Sequence, residues 1–172
     1  MAKNGLVVVV ADLLQRPGAR RRVQQSGSMD GLRVVGSAVP DRSDVSVDVT
    51  LEWVTDGILA TGVATGPFEA ECRRCLGPVT GRAEARFQEL YEPRPRDGET
   101  YPLQGDRIDL APLAREALLL ELPLAPLCRE DCLGLCGSCG ADLNAGRCDC
   151  PSAVGDPRWA ALDVLRADPD LN

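Results

Sequence analysis

Residues 45–53 carry the clearest pattern in the chain. Val45, Val47, Val49, Leu51 and Trp53 alternate with Ser46, Asp48, Thr50 and Glu52. A period of two turns one face of a strand to a core and the other to water. Asp56-Gly57 follows as a hairpin turn, because glycine tolerates positive φ, and Ile58 to Ala64 returns as the partner strand. Gly66-Pro67 reads as another turn. Phe68, Ala70 and Cys72 then alternate with Glu69 and Glu71, and after Gly77-Pro78 the alternation resumes at Val79, Gly81, Ala83, Ala85 and Phe87. The segment Cys72–Cys75 is therefore expected in the bend between two antiparallel strands.

The flanks are less regular. Leu6 to Val10 reads as a buried strand and Leu32 to Val39 as a short one. Between them, Pro17-Gly18, Ser26-Gly27-Ser28 and Asp30-Gly31 are breakers, so this region is expected as a loop. A second loop is expected over Glu92 to Gly105, which is rich in Pro, Arg, Asp and Gly. Asp109 then reads as a helix N-cap. Leu110, Leu113, Ala114, Ala117 and Leu118 fall on one helical face, Pro112 suits a first turn, and Pro123 ends the helix. A last short helix opens at Asp156-Pro157-Arg158, with Trp159, Leu162 and Leu165 on one face. The pattern predicts an α+β fold: an antiparallel sheet of barrel-like form, one covering helix, and a small C-terminal zinc-binding module. The expected division is residues 1–127 for the α+β domain and 128–172 for the cysteine-rich module with its terminal helix.

Composition sharpens this picture. The chain has 172 residues, 44% of them hydrophobic but only 3% aromatic, so its core must be built of Val, Leu and Ala. There is no histidine, which removes Ser-His and Cys-His nucleophile–base pairs and every His-ligated catalytic metal. No paired acidic constellation stands out from the solvated strand faces, and the expectation is a protein that is not an enzyme and takes no small-molecule substrate. No run reaches the length of about 18 apolar residues that a membrane span needs. Lys3 followed by Leu6-Val7-Val8-Val9-Val10-Ala11 loosely resembles a signal peptide, but Asp12 interrupts it and no small-x-small cleavage site follows. A cytoplasmic location is expected. The net charge of −7 is uneven. Lys3, Arg16, Arg20, Arg21, Arg22 and Arg33 make the start basic, and the acidic excess lies beyond residue 40. An acidic chain is a poor non-specific nucleic-acid binder, so RNA contact would fall to Arg16, Arg20, Arg21 and Arg22; a solvated loop is the plainer reading of that run.

The eight cysteines change the picture most. A disulfide framework belongs to short secreted chains with little core. Here the cysteines come as Cys72-x2-Cys75, Cys128-x3-Cys132-x3-Cys136-x2-Cys139 and Cys148-x-Cys150. Cys72-Arg73-Arg74-Cys75-Leu76-Gly77 and Cys136-Gly137-Ser138-Cys139-Gly140 have the form of metal knuckles, in which backbone N–H groups face two thiolates and a glycine permits the bend. They are also the chain's one internal resemblance. Residues 128–150 are too short to bury a core, so metal is expected to hold them. The partition taken is Cys72, Cys75, Cys128 and Cys132 on one Zn2+, with Cys136, Cys139, Cys148 and Cys150 on another. The rival puts Cys128, Cys132, Cys136 and Cys139 on one ion, so one or two ions are expected. A thioredoxin-like dithiol would need its Cys-x-x-Cys to open a helix after a strand; an iron–sulfur cluster is the other use of four thiolates.

Taken in order, these motifs resemble a known family. They are Arg16-Pro17-Gly18, Cys72-Arg73-Arg74-Cys75-Leu76, Ile108-Asp109-Leu110, Leu122-Pro123-Leu124-Ala125-Pro126-Leu127-Cys128, Asp131-Cys132-Leu133-Gly134-Leu135-Cys136-Gly137-Ser138-Cys139-Gly140 and Asp156-Pro157-Arg158. The set resembles the YceD-like large ribosomal RNA accumulation proteins. That resemblance implies a cytoplasmic protein needed for normal accumulation of 23S ribosomal RNA, and it implies relatives that keep counterparts of the 72/75 and 128/132 pairs but lack the 136–150 quartet, which favours the two-site partition. The partner expected is ribosomal RNA or a basic large-subunit or processing protein. The alternatives are a zinc-dependent protein-binding adaptor and a redox-sensitive zinc switch, in which oxidation expels the metal.

Overall fold

In the computed structural model, which describes residues 5–55, 57–151 and 158, the alternating segments form one seven-stranded sheet and one two-stranded ribbon. In chain order the strands are β1 (Val7–Val9), β2 (Arg20–Ser28), β3 (Arg33–Val34), β4 (Ser37–Ala38), β5 (Asp44–Val54), β6 (Gly57–Glu71), β7 (Pro78–Glu92), β8 (Tyr101–Pro102) and β9 (Arg107–Asp109), followed by helix α1 (Ala111–Glu121). Antiparallel pairing runs β2–β5–β6–β7, and β8 adds to β7 in parallel. β4 continues the β5 side of β6 near its far end and carries β3. β1 and β9 pair separately.

The barrel-like closure expected from the sequence is absent: the sheet is open, and among the described residues β2 pairs with β5 alone. Another layer does the covering. Leu6, Val8 and Val10 around β1, Ile108 on β9, and Leu110, Leu113, Ala114 and Leu118 of the helical segment share one core with Val45, Val47, Val49 and Leu51. The middle of β6 and β7 is lined by small buried residues, Ala60, Ala64, Ala83 and Ala85. Small side chains let the helix sit close: a Cβ on Gly66 would lie 3.6 Å from Leu118 Cδ1. That arrangement is how a core with 3% aromatics fills its space.

Local signals were overridden at several places. The region expected as a loop is β2, in register with β5 from Arg20↔Glu52 to Ser28↔Asp44. Its Gly27 stays in the strand because Leu6 packs where a side chain would go, 3.3 Å from an added Cβ. Gly66-Pro67 does not turn; β6 runs straight through it. Pro67 falls between Thr65, the last partner of β5, and Glu69, which pairs with β4, so its missing N–H meets a gap in the ladder. Leu32–Val39 is a small hairpin of β3 and β4 rather than one strand, and β8 lies inside the expected loop 92–105. α1 starts at Ala111 with Leu110, not the expected Asp109, as its N-cap; Leu110 has no capping side chain, and Asp109 Oδ1 accepts the Ala111 N–H at 2.9 Å from one residue further out. The turn residue Asp56 and the helix expected from Asp156 through Leu165 lie outside the described residues, apart from Arg158.

Candidate metal centres

The first knuckle is the loop of the longest hairpin. β6 ends at Glu71 and β7 begins at Pro78, and these two residues pair. Across residues 72–77 the Cys72 N–H donates to Gly77 O at 2.8 Å and the Leu76 N–H to Cys72 O at 2.9 Å. The chain leaving α1 is drawn up against this loop, where Arg73 N–H donates to Pro126 O at 2.9 Å. That contact delivers Cys128 and Cys132. Cys72 Sγ lies 3.8 Å from Cys132 Sγ, and Cys75 Sγ lies 3.7 Å from Cys128 Sγ. All four sulfurs are within 4.8 Å of one another.

The second knuckle repeats the backbone pattern. Cys136 N–H donates to Ala141 O and Gly140 N–H to Cys136 O, both at 2.8 Å. Ser138 N–H points at Cys136 Sγ, 3.4 Å away. Here Cys136, Cys139, Cys148 and Cys150 form the quartet, again within 4.8 Å. The eight thiols thus come together as two local sets of four, and Cys128 and Cys132 sit with the hairpin pair rather than with Cys136 and Cys139.

The geometry suits a cation. Four sulfurs bound tetrahedrally at about 2.3 Å would stand about 3.8 Å apart, and a disulfide would need about 2.05 Å. The electrostatics point the same way. Backbone N–H groups of Cys75 and Cys128 hold the Cys72 thiol down to about 6, and those of Cys139 and Ser138 hold Cys136 down to about 6. The other members feel their neighbours: Cys128 is pushed up to about 12 by its bond with Cys132 and by desolvation, and Cys150 to about 12 by Cys139. One thiolate forms readily in each set, and the raised thiols beside it, Cys75 and Cys128 in one and Cys148 and Cys150 in the other, would ionise at neutral pH only with a positive charge at the centre. An all-sulfur donor set favours zinc among the common divalent ions. Four protein ligands leave no open coordination position, so each centre could staple the chain and could not present a metal-bound water.

Three features here have no strong sequence signal. Arg74 Nη1 donates to the carbonyls of Glu130 at 3.0 Å and Cys132 at 2.9 Å, tying the knuckle to the cysteine-rich segment. Gly134, with φ +78°, passes so close that an added Cβ would lie 2.9 Å from Arg74 O. Asn144, in the loop between Cys139 and Cys148, places its Nδ2 3.5 Å from Cys132 Sγ. The knuckle bend also differs from expectation. Positive φ falls on Leu76 (+59°) rather than Gly77, whose role is to leave room beside Cys75 Sγ, 3.3 Å from an added Cβ.

The basic run lies apart from both quartets. Arg20 pairs with Glu52 at 2.9 Å, and Arg22 holds Asp48 through Nε at 2.8 Å and Nη2 at 2.6 Å. Arg22, with help from Gln24, keeps the Asp48 carboxyl at about 2. Arg21 turns toward the ribbon, pairing with Asp12 at 2.5 Å and donating to Val9 O. Arg16 is exposed in the preceding turn.

An open sheet under one helix, with two clusters of four cysteines that could each hold a metal ion, defines a small α+β protein. The chain belongs to the family described as large ribosomal RNA subunit accumulation protein YceD, which it matches over residues 60–166, a span holding all eight cysteines. An uncharacterized protein of Mycobacterium tuberculosis (strain ATCC 25618 / H37Rv) is 34% identical over 167 residues, 91% of this chain and 79% of that one. An uncharacterized protein of Mycobacterium leprae (strain TN) is 32% identical over 177 residues, 95% of this chain and 79% of that one. The chloroplastic large ribosomal RNA subunit accumulation protein YCED homolog 1 of Arabidopsis thaliana is 33% identical over 66 residues, 38% of this chain and 21% of that one. No solved structure matches the chain. Among the described residues no helix is long and apolar enough to cross a membrane.

Proposed function

We propose that the protein is a non-enzymatic, zinc-stapled factor that supports accumulation of 23S ribosomal RNA and assembly of the large ribosomal subunit in the cytoplasm. The observation that carries this reading is the pair of closed four-thiol centres in a chain of this family. Zinc would hold Cys72, Cys75, Cys128 and Cys132 at one centre and Cys136, Cys139, Cys148 and Cys150 at the other, supplying fold rather than chemistry. The experiment is depletion of the protein followed by measurement of 23S relative to 16S RNA. The expected result is a lower ratio, restored by the wild-type chain and not by a Cys72→Ser, Cys139→Ser double variant. An unchanged ratio would sink the proposal.

A second reading concerns the partner. Direct RNA contact would fall to Arg16, Arg20, Arg21 and Arg22, but three of these guanidinium groups already hold Glu52, Asp12 and Asp48. A net charge of −7 favours a basic protein partner, such as a large-subunit protein or a processing enzyme. Recovering complexes after nuclease treatment separates the two. A basic protein that survives digestion supports the adaptor; loss of every partner supports RNA.

A further inference from the structure

We infer that Asn144 is a positioning residue through which the second metal loop completes the first metal centre, so that the first centre holds its ion fully only when the loop between Cys139 and Cys148 is folded. This rests on the metal-binding reading above. Asn144 belongs in sequence to the second quartet, yet its side chain reaches a ligand of the first: Nδ2 lies 3.5 Å from Cys132 Sγ. The orientation of the amide is fixed by its surroundings. Oδ1 accepts from Leu133 N–H at 2.9 Å and from Arg129 Nη2 at 2.7 Å, and both of these can only donate. Nδ2 also donates to Asp142 Oδ1 at 2.7 Å, a carboxylate that can only accept when ionised. Turning the amide over would set donors against donors and an acceptor against an acceptor, so the N–H must face the sulfur.

The loop that carries Asn144 is itself held firmly. Asp142 Oδ1 also accepts the Asn144 backbone N–H at 2.9 Å. Leu143 N–H donates to Gly134 O at 2.9 Å, and Leu135 bridges to Asp142. These bonds fasten residues 141–144 to the strand-like segment 133–136, which leads from Cys132 of the first centre to Cys136 of the second. Closure of the second quartet would fix both ends of that loop at Cys139 and Cys148. An N–H aimed at a thiolate lowers the cost of its negative charge and orients it toward the cation, and loss of such an outer partner weakens a metal site by about 10- to 100-fold.

The test uses the full chain loaded with Co2+, whose thiolate absorption reports each site, and follows release of the two ions to a chelator. In Asn144→Ala, one ion should leave about 10- to 100-fold faster and the other at the wild-type rate. Asn144→Asp keeps the oxygen acceptor for Leu133 and Arg129 but has no N–H for the sulfur, and it should show the same selective loss. Cys139→Ser, which opens the second quartet, should by itself weaken the ion held at the first centre, and adding Asn144→Ala should change that release little further. Circular dichroism of the sheet separates these results from general unfolding. The inference is overturned if both Asn144 variants release both ions at wild-type rates, or if Cys139→Ser leaves the first centre as tight as in the intact protein. A wild-type chain that binds no metal would instead overturn the metal reading together with this inference.

Discussion

Leu76 and Gly140 are equivalent residues of two knuckles. Each donates its N–H to the carbonyl of the leading cysteine, at 2.9 Å to Cys72 and 2.8 Å to Cys136, and each has a left-handed backbone, φ +59° and +73°. Glycine adopts that region freely, but a leucine there carries about 1–2 kcal/mol of strain. Leu76 is also 62% exposed, so burial offsets little of it.

Exchanging the two residue types should therefore have opposite effects. Leu76→Gly relieves the strain while adding about 0.5–1 kcal/mol of unfolded-chain entropy, so unfolding stability should stay level or rise by up to about 1.5 kcal/mol. Gly140→Leu gains no compensating contact and should cost about 1–2 kcal/mol. Denaturant unfolding of the metal-loaded protein measures both. A loss of stability in Leu76→Gly would show that the exposed side chain holds the knuckle in some other way.

The knuckles were legible in the sequence because cysteine spacing is a local signal and a four-ligand requirement is a count. β5 was legible for a similar reason: Val45, Val47, Val49 and Leu51 are fully buried against four polar neighbours. β2 was not. It is an edge strand, its residues are exposed or half-buried throughout, and its placement is set by partners far away in sequence, Arg20 with Glu52 and Arg22 with Asp48. Pro67 misled in the opposite sense, since a turn dipeptide was absorbed where one side of β6 lacks a partner strand. Asn144 has no periodicity or motif to mark it; its importance comes from the third dimension alone.

Metal stoichiometry should follow the two quartets. The wild-type chain is expected to hold two ions, and Cys72→Ser and Cys139→Ser about one each, measured by elemental analysis of purified protein. The variants should differ in stability. The first centre links Cys72 at the sheet hairpin to Cys132, 60 residues away, so its loss leaves the chain beyond α1 held to the hairpin only by hydrogen bonds such as those of Arg73 and Arg74. The second closes within residues 136–150, and its loss should lower the midpoint of sheet unfolding less, through the weakened hold on the first ion alone. Equal falls in melting temperature would contradict this division.

The contact between helix and sheet gives a prediction independent of metal. Leu118 is fully buried, and its Cδ1 lies over Gly66, where the fold leaves no side chain. Leu118→Ala removes buried methyl groups from a site that cannot collapse easily and should cost about 2–5 kcal/mol. Urea unfolding checks this. A cost below about 1 kcal/mol would mean that the helix packs loosely on the sheet.

Proton release on metal binding tests the electrostatics of both centres. In the metal-free protein Cys72 and Cys136 are held down to about 6 by backbone N–H groups, while Cys128 and Cys150 are pushed up to about 12 beside neighbouring thiols. For the first pair the sign is that of a depressed acid. An unfolded thiol titrates near about 8.5, so the stability these thiolates contribute is fully present above that pH and is lost as pH falls through about 6. For the raised pair the proton leaves only when a cation arrives. Near pH 7.5 each quartet should therefore release at least about two protons per ion, from Cys75 and Cys128 in one and from Cys148 and Cys150 in the other, and about one more below pH 6 as Cys72 or Cys136 takes up its own. Calorimetric titration with Zn2+ in two buffers of different ionisation enthalpy counts those protons. Metal affinity should rise steeply with pH over the same range. Release of one proton or fewer per ion would mean that the sulfurs do not enter as thiols, and the four-thiolate centres would have to be abandoned.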